Sequence, residues 1–184
     1  QKLVYILPTQ TVYTFDYGPA EKDVIFTTPL LLDDLTLISR PVSYITYLVR
    51  SKDEMSHESQ IYFETTSQWT VHDDSQPVSF EKIERDGRCF LKIGTVAQPL
   101  LQRKGDYVLI DWGYFYLTSP INDGATLNFG NNWDTRKTFY TTGTIPGMIP
   151  EELFGNMPKE KTVLAYSRDL GKVTPEKRGG YIML

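Results

Sequence analysis

The chain has 184 residues with a net charge of −4, one cysteine, 40% hydrophobic and 23% charged residues. That length suits one domain with a substantial core, the composition is that of a folded rather than a disordered chain, and one cysteine excludes an intrachain disulfide. No basic stripe interleaves with the aromatics, which argues against a phosphate-tracking nucleic-acid surface, and no apolar run is long enough for a membrane span.

The predicted elements are strands punctuated by turns, with hardly any helical period. They run Leu3–Leu7, Thr11–Tyr17, Asp23–Thr28, Val42–Arg50, Ser59–Thr66, Val78–Glu84, Arg88–Thr95, Tyr107–Thr118, Ala125–Phe129 and Thr162–Arg168. A high aromatic share, led by Tyr, agrees with strands, which seat such side chains well. The fold class expected is therefore all-β, a mainly antiparallel β-sandwich. Leu32–Ser39 suits one or two helical turns, and Pro150 to Phe154 has proline and acidic residues where a helix starts. Residues 119 to 150, rich in Asn, Gly, Thr and Pro, read as long surface loops around a short strand.

Asp86-Gly87 between two β-like runs is a two-residue hairpin signal, because that turn needs positive φ at both positions. It sets Arg85 opposite Arg88, Ile83 opposite Phe90 and Glu81 opposite Lys92. Val78, Phe80, Cys89, Leu91 and Ile93 then share the core face, which makes Cys89 a small buried hydrophobe. Val42–Val49 and Gly105–Leu117 are apolar on both parities, as in strands lying between packed layers. Asp111 interrupts the second, and a carboxylate there is costly unless bonded or wet. It is the candidate functional carboxylate, either a catalytic acid or an acceptor inside the sheet.

Few other residues offer chemistry. His72-Asp73-Asp74 holds metal-ligand types, but adjacent residues rarely converge on one ion, so no metal and no cofactor is expected. His57 reads as the exit of a hairpin loop. No Gly-x-Ser-x-Gly or phosphate loop occurs, and no catalytic residue is assigned. Among the tryptophans, Trp112 reads as core, and Trp133 is the one plausible exposed platform, unless its loop folds it back onto the sheet. Trp133, Phe139, Tyr140 and Met148 lie in the loop-rich stretch without a strand period, which makes them candidates for an apolar docking patch. The first residues, Gln1-Lys2-Leu3-Val4-Tyr5-Ile6-Leu7, read as mid-strand, and the last, Gly180-Tyr181-Ile182-Met183-Leu184, stop inside an apolar run, as in a piece of something longer.

Five segments in order carry a family resemblance: Pro8 to Phe15, Phe26 to Leu30, Ser39 to Tyr47, His57 to Phe63 and Ile110 to Leu117. Together they resemble the glutaminase A family, large secreted or surface proteins assigned to hydrolyse L-glutamine to glutamate and ammonia. The resemblance implies a supersandwich-like β domain, residues 1–184, ahead of a helical toroid of the six-hairpin glycosidase type. It implies no catalytic residue at these positions. The implied partner is that helical catalytic-type domain of the same parent chain, and the implied location is secreted, periplasmic or cell-surface. A carbohydrate-binding or glycosidase-accessory module is the alternative.

Overall fold

A computed structural model describes residues 2–147 and 161–184. Its strands are mostly antiparallel and form two sheets, so the fold is all-β as the strand pattern predicts. The expected helix at Pro150 to Phe154 lies outside the described residues, as does Met148. Chain contacts divide the protein into two compact units, Gln1–Gln60 with Leu170–Leu184, and Ile61–Asp169. Among the described residues no helix is long and apolar enough to cross a membrane.

The first unit contains β1 (Leu3–Ile6), β2 (Gln10–Asp16), β3 (Ala20–Thr27), β4 (Tyr44–Ser51) and β11 (Arg178–Met183), hydrogen-bonded in that order. A short helix, α1 (Leu35–Ile38), precedes β4, and Asp34 caps it by accepting the Leu37 N–H at 2.9 Å. That satisfies one of the orphan donors of a helix start. β4 lies between β3 and β11, the central place expected for it, but it buries one parity, Ile45, Tyr47 and Val49, while Tyr44 and Leu48 on the other are half-buried. The opposite face of β3 carries Glu21 and Asp23, each paired across the ladder. Arg50 donates to Glu21 from Nε at 3.0 Å, while Thr14 and Lys177 each donate to Asp23 at 2.8 Å. The closing strand β11 comes from a Gly-Gly run that the strand pattern does not single out.

The second unit contains a meander of β6 (Val78–Arg85), β7 (Arg88–Thr95) and β8 (Phe115–Pro120). Against it packs β9 (Ala125–Asn131), and β9 pairs antiparallel with β10 (Thr162–Val173). Phe80 of β6 meets Phe129 of β9 with ring centroids 5.2 Å apart. β5 (His57–Thr66) lies on the other side of β10 from β9. The division between units falls inside β5 and β10.

Val163, Leu164, Ala165 and Tyr166 of β10 are all fully buried, so this is the strand packed on both faces. Val163 and Ala165 meet Ile145, Tyr62 and Phe139 on one side. Leu164 and Tyr166 lie opposite Phe129 and Leu127 in the ladder and point to the meander side. The expectation that Tyr107–Thr118 is such a strand is overturned. Only Phe115–Pro120 is strand, and Tyr107 to Tyr114 form a loop whose apolar side chains are exposed.

The hairpin follows its turn chemistry. Asp86 and Gly87 have φ of 50° and 72°, and Ile83 pairs with Phe90 and Glu81 with Lys92. Cys89, Leu91 and Ile93 are buried on the core face. A Cβ at Gly87 meets nothing within 4 Å, so only the dihedral opposes substitution. We expect Gly87→Val to destabilise the protein by about 1–2 kcal/mol through left-handed strain alone. Urea unfolding checks this, and an unchanged midpoint would remove the turn assignment.

The stretch expected to be loop after β9 holds a helix, α2 (Asn132–Thr142). Asn131 caps it, accepting from the N–H groups of Trp133 and Asp134 at 3.0 and 3.4 Å. Gly143, at φ 74°, ends it by donating to the Phe139 carbonyl. Both caps are helix signals that the Thr- and Asn-rich composition obscures. Phe139 packs on Tyr62 at 4.9 Å, and Arg136 reaches Glu64 of β5.

Candidate functional site

The residues that stand out chemically gather around the loop between β7 and β8, all within the second unit. Leaving β7, Thr95 donates its hydroxyl to the Asp111 carbonyl at 2.5 Å. Gln98 then holds Gly113 from both sides: its amide nitrogen donates to the Gly113 carbonyl at 3.0 Å, and its oxygen accepts the Gly113 N–H at 2.6 Å. A side-chain amide here replaces a strand partner. Gln98 itself sits at φ 43°, a left-handed backbone that an L side chain adopts only where its surroundings hold it.

Asp111 is 2% exposed. Its Oδ2 accepts from Arg103 Nε and from Gln76 Nε2, each at 2.8 Å. The partner that a carboxylate in an apolar run demands is thus a guanidinium and an amide, one from the same loop and one from the turn before β6. The other end of the Gln76 amide accepts the His72 N–H at 2.6 Å. His72 in turn accepts the Leu109 N–H at Nδ1, 3.3 Å away. Arg103 also lies 3.8 Å from Asp73. These bonds together pin the loop.

The Arg103 guanidinium, and after it the Gln76 amide, hold the Asp111 carboxyl below the usual carboxylate range, against the opposing pull of burial. A carboxyl lowered by folding stabilises the protein above its unfolded value, near pH ~3.9. That contribution disappears as pH falls through the folded value. Asp111→Asn should therefore lower the thermal midpoint at neutral pH, with the gap to wild type closing on acidification. A gap that persists in acid would show that the charge does not matter.

Around this brace the apolar side chains face outward. Tyr107 and Ile110 are 93% and 65% exposed, and Leu100, Leu101, Leu109, Trp112 and Tyr114 are exposed with them. Trp112 is therefore not core, a correction that follows from the loop replacing the expected strand. A cleft of about 400 Å³ opens beside it, lined by His72, Arg103 to Val108. A second, of about 220 Å³, is bordered by Glu81, Lys92 and Tyr114, where Lys92 lies 4.2 Å from the Tyr114 ring centre.

The other candidates lie elsewhere. Trp133 and Tyr140 are 72% and 91% exposed, seven residues apart on one face of α2, while Phe139 is half-buried against Tyr62. Trp133 does not fold back onto the sheet, but neither is it the sole exposed indole. Trp69 is exposed as well, lying 6.5 Å from Phe115 in near-parallel contact. His57 opens β5 and meets Asp53 at 2.7 Å. The Cys89 thiol is pushed up by burial, which leaves it inert. Among the described residues no group of three or more His, Cys, Asp or Glu side chains is placed to hold a metal ion.

Residues 9–183 match the family described as domain of unknown function DUF5127. Glutaminase A of Aspergillus oryzae (strain ATCC 42149 / RIB 40) is 27% identical over 167 residues, which covers 90% of this chain and 24% of that relative. The similarity marks a distant relation, and the chain spans about a quarter of the relative's length. With the match running through nearly all of both units, the chain belongs to the DUF5127 family.

Proposed function

We propose that this chain is a noncatalytic β-sandwich domain of a larger, glutaminase-A-like hydrolase that acts on L-glutamine outside the cell or at its surface. In this reading residues 1–184 form one module, and it packs against a helical catalytic-type domain of the same polypeptide. One observation carries the proposal: the relation to glutaminase A takes in almost this whole chain and only a quarter of the relative. The chemistry agrees, since Asp111, His72 and Gln76 are spent on holding a loop. The α2 face bearing Trp133 and Tyr140, with Phe139 beneath it and Met148 beyond the described residues, is a docking surface in this proposal.

The test is glutamine turnover by the long polypeptide beside turnover by the 184-residue chain. We expect ammonia release from the first alone. Turnover by the chain itself, lost in Asp111→Asn, would make Asp111 a catalytic residue and end the proposal.

A second reading, a carbohydrate-binding module, draws on one row of rings in the first unit. Tyr13, Phe15 and Tyr17 follow one another with centroids 6.5 and 6.4 Å apart, and Lys22 lies over the last two. Such rings suit stacking on sugar faces. Glycan-array binding that Tyr17→Ala abolishes would favour it.

A further inference from the structure

The loop between β7 and β8 inverts the usual arrangement of a globular surface. Its Asp111 carboxylate is buried and its base is fixed through the Gln98 amide, while its aliphatic and aromatic side chains stand in solvent. A mobile loop with apolar residues would bury them against its own base. Here Gln98, Arg103, Gln76 and Thr95 hold the backbone so that it cannot. Isolated exposed apolar residues are ordinary, but Tyr107, Leu109, Ile110, Trp112 and Tyr114 lie within one short loop. Fixing a loop in advance removes the ordering cost of binding, so the arrangement suits recognition.

We infer that this loop is a preformed interface for an apolar protein surface, the surface of the remaining part of the larger polypeptide. The inference rests on the reading of the chain as one domain of such a protein. Residues 100 to 114 carry Arg103 and Lys104 against Asp106 and Asp111, a formal charge of zero. A neutral loop gains nothing from an anionic membrane or a polyanion, and membrane anchoring needs a second signal such as a basic patch. A neutral apolar loop fits an apolar protein face, which is also what interface cores offer to aromatic anchors. The relative supplies a source for that face, since three quarters of its length lies outside the match.

Carbene footprinting with mass spectrometry tests the inference on the 184-residue chain and on the long polypeptide. The peptide holding Tyr107, Leu109 and Ile110 should label strongly in the chain alone and lose its labelling in the long polypeptide. Leu109→Asp with Ile110→Asp, which change two exposed side chains that take no part in the polar brace and keep the Leu109 N–H, should restore labelling in the long polypeptide. Equal labelling in both proteins overturns the inference. So does concentration-dependent dimerisation of the chain that Leu109→Asp abolishes, which assigns the loop to a second copy. Flotation of the chain with phosphatidylcholine–phosphatidylserine vesicles overturns it in favour of a lipid surface. Glutamine turnover is measured on the same samples. A protected loop in an inactive polypeptide supports the interface and sinks the glutaminase reading alone, while a labelled loop in an active one overturns the interface alone.

Discussion

Gly179→Ala should cost about 3 kcal/mol, at the upper end of what overpacking does. β11 approaches β4 so closely there that a Cβ on Gly179 would stand 1.9 Å from the Tyr47 carbonyl oxygen and 3.0 Å from the Leu48 Cα. Those atoms are backbone, so no side chain can swing aside. Relief requires β11 to move off β4, and that loosens the pairing of Tyr181 and Ile182 with Thr46 and Ile45. Since Ile182 and Ile45 are both buried, the loss would spread to the core of the first unit. Urea denaturation gives the cost, and hydrogen exchange along β11 gives its location. A variant with wild-type stability and protection would mean that the strands do not meet this closely.

The second large effect is expected at Gly94 in β7. A Cβ there would lie 2.6 Å from the Tyr114 ring, 2.7 Å from the Gly113 carbonyl oxygen and 3.0 Å from the Gln98 amide nitrogen. The last two atoms form the hydrogen bond that pins the loop. Gly94→Ala should therefore destabilise by about 2 kcal/mol and also free the loop from its seat. Two readouts separate these outcomes. Urea unfolding reports the cost, and exchange at the Gly113 N–H reports the loop. Faster exchange at Gly113 with β6 and β7 still protected is the expected pattern. Uniform exchange across the meander would instead mark a general loss of packing.

The hairpin at Asp86-Gly87 is legible in the sequence because its information is local: two residues that tolerate positive φ, flanked by alternating runs. The register then follows by counting. Val163–Tyr166 of β10 and the Tyr107–Ile110 part of the loop look alike by that measure, since both run apolar on either parity. What separates them is the set of polar partners, Gln76 and Gln98 above all, whose bonds to Asp111 and Gly113 span 35 and 15 residues. No alternation pattern contains that distance. The requirement that Asp111 have a partner is readable from the cost of burying charge, but the partner's identity is not. α2 sits between these cases. Its Thr-rich body has weak helix propensity, yet Asn131 and Gly143 mark both ends, and the helix is held by Phe139 on Tyr62 rather than by propensity.

Cys89 has a practical consequence. The thiolate is the species that alkylating reagents attack, and here burial disfavours it. Any modification at neutral pH must therefore await a transient parting of β7 from its neighbours. With one thiol in the chain, the rate of its capture becomes a single-site clock for breathing of the meander, read without an added probe. Gly87→Val, two residues away at the hairpin tip, should quicken that clock.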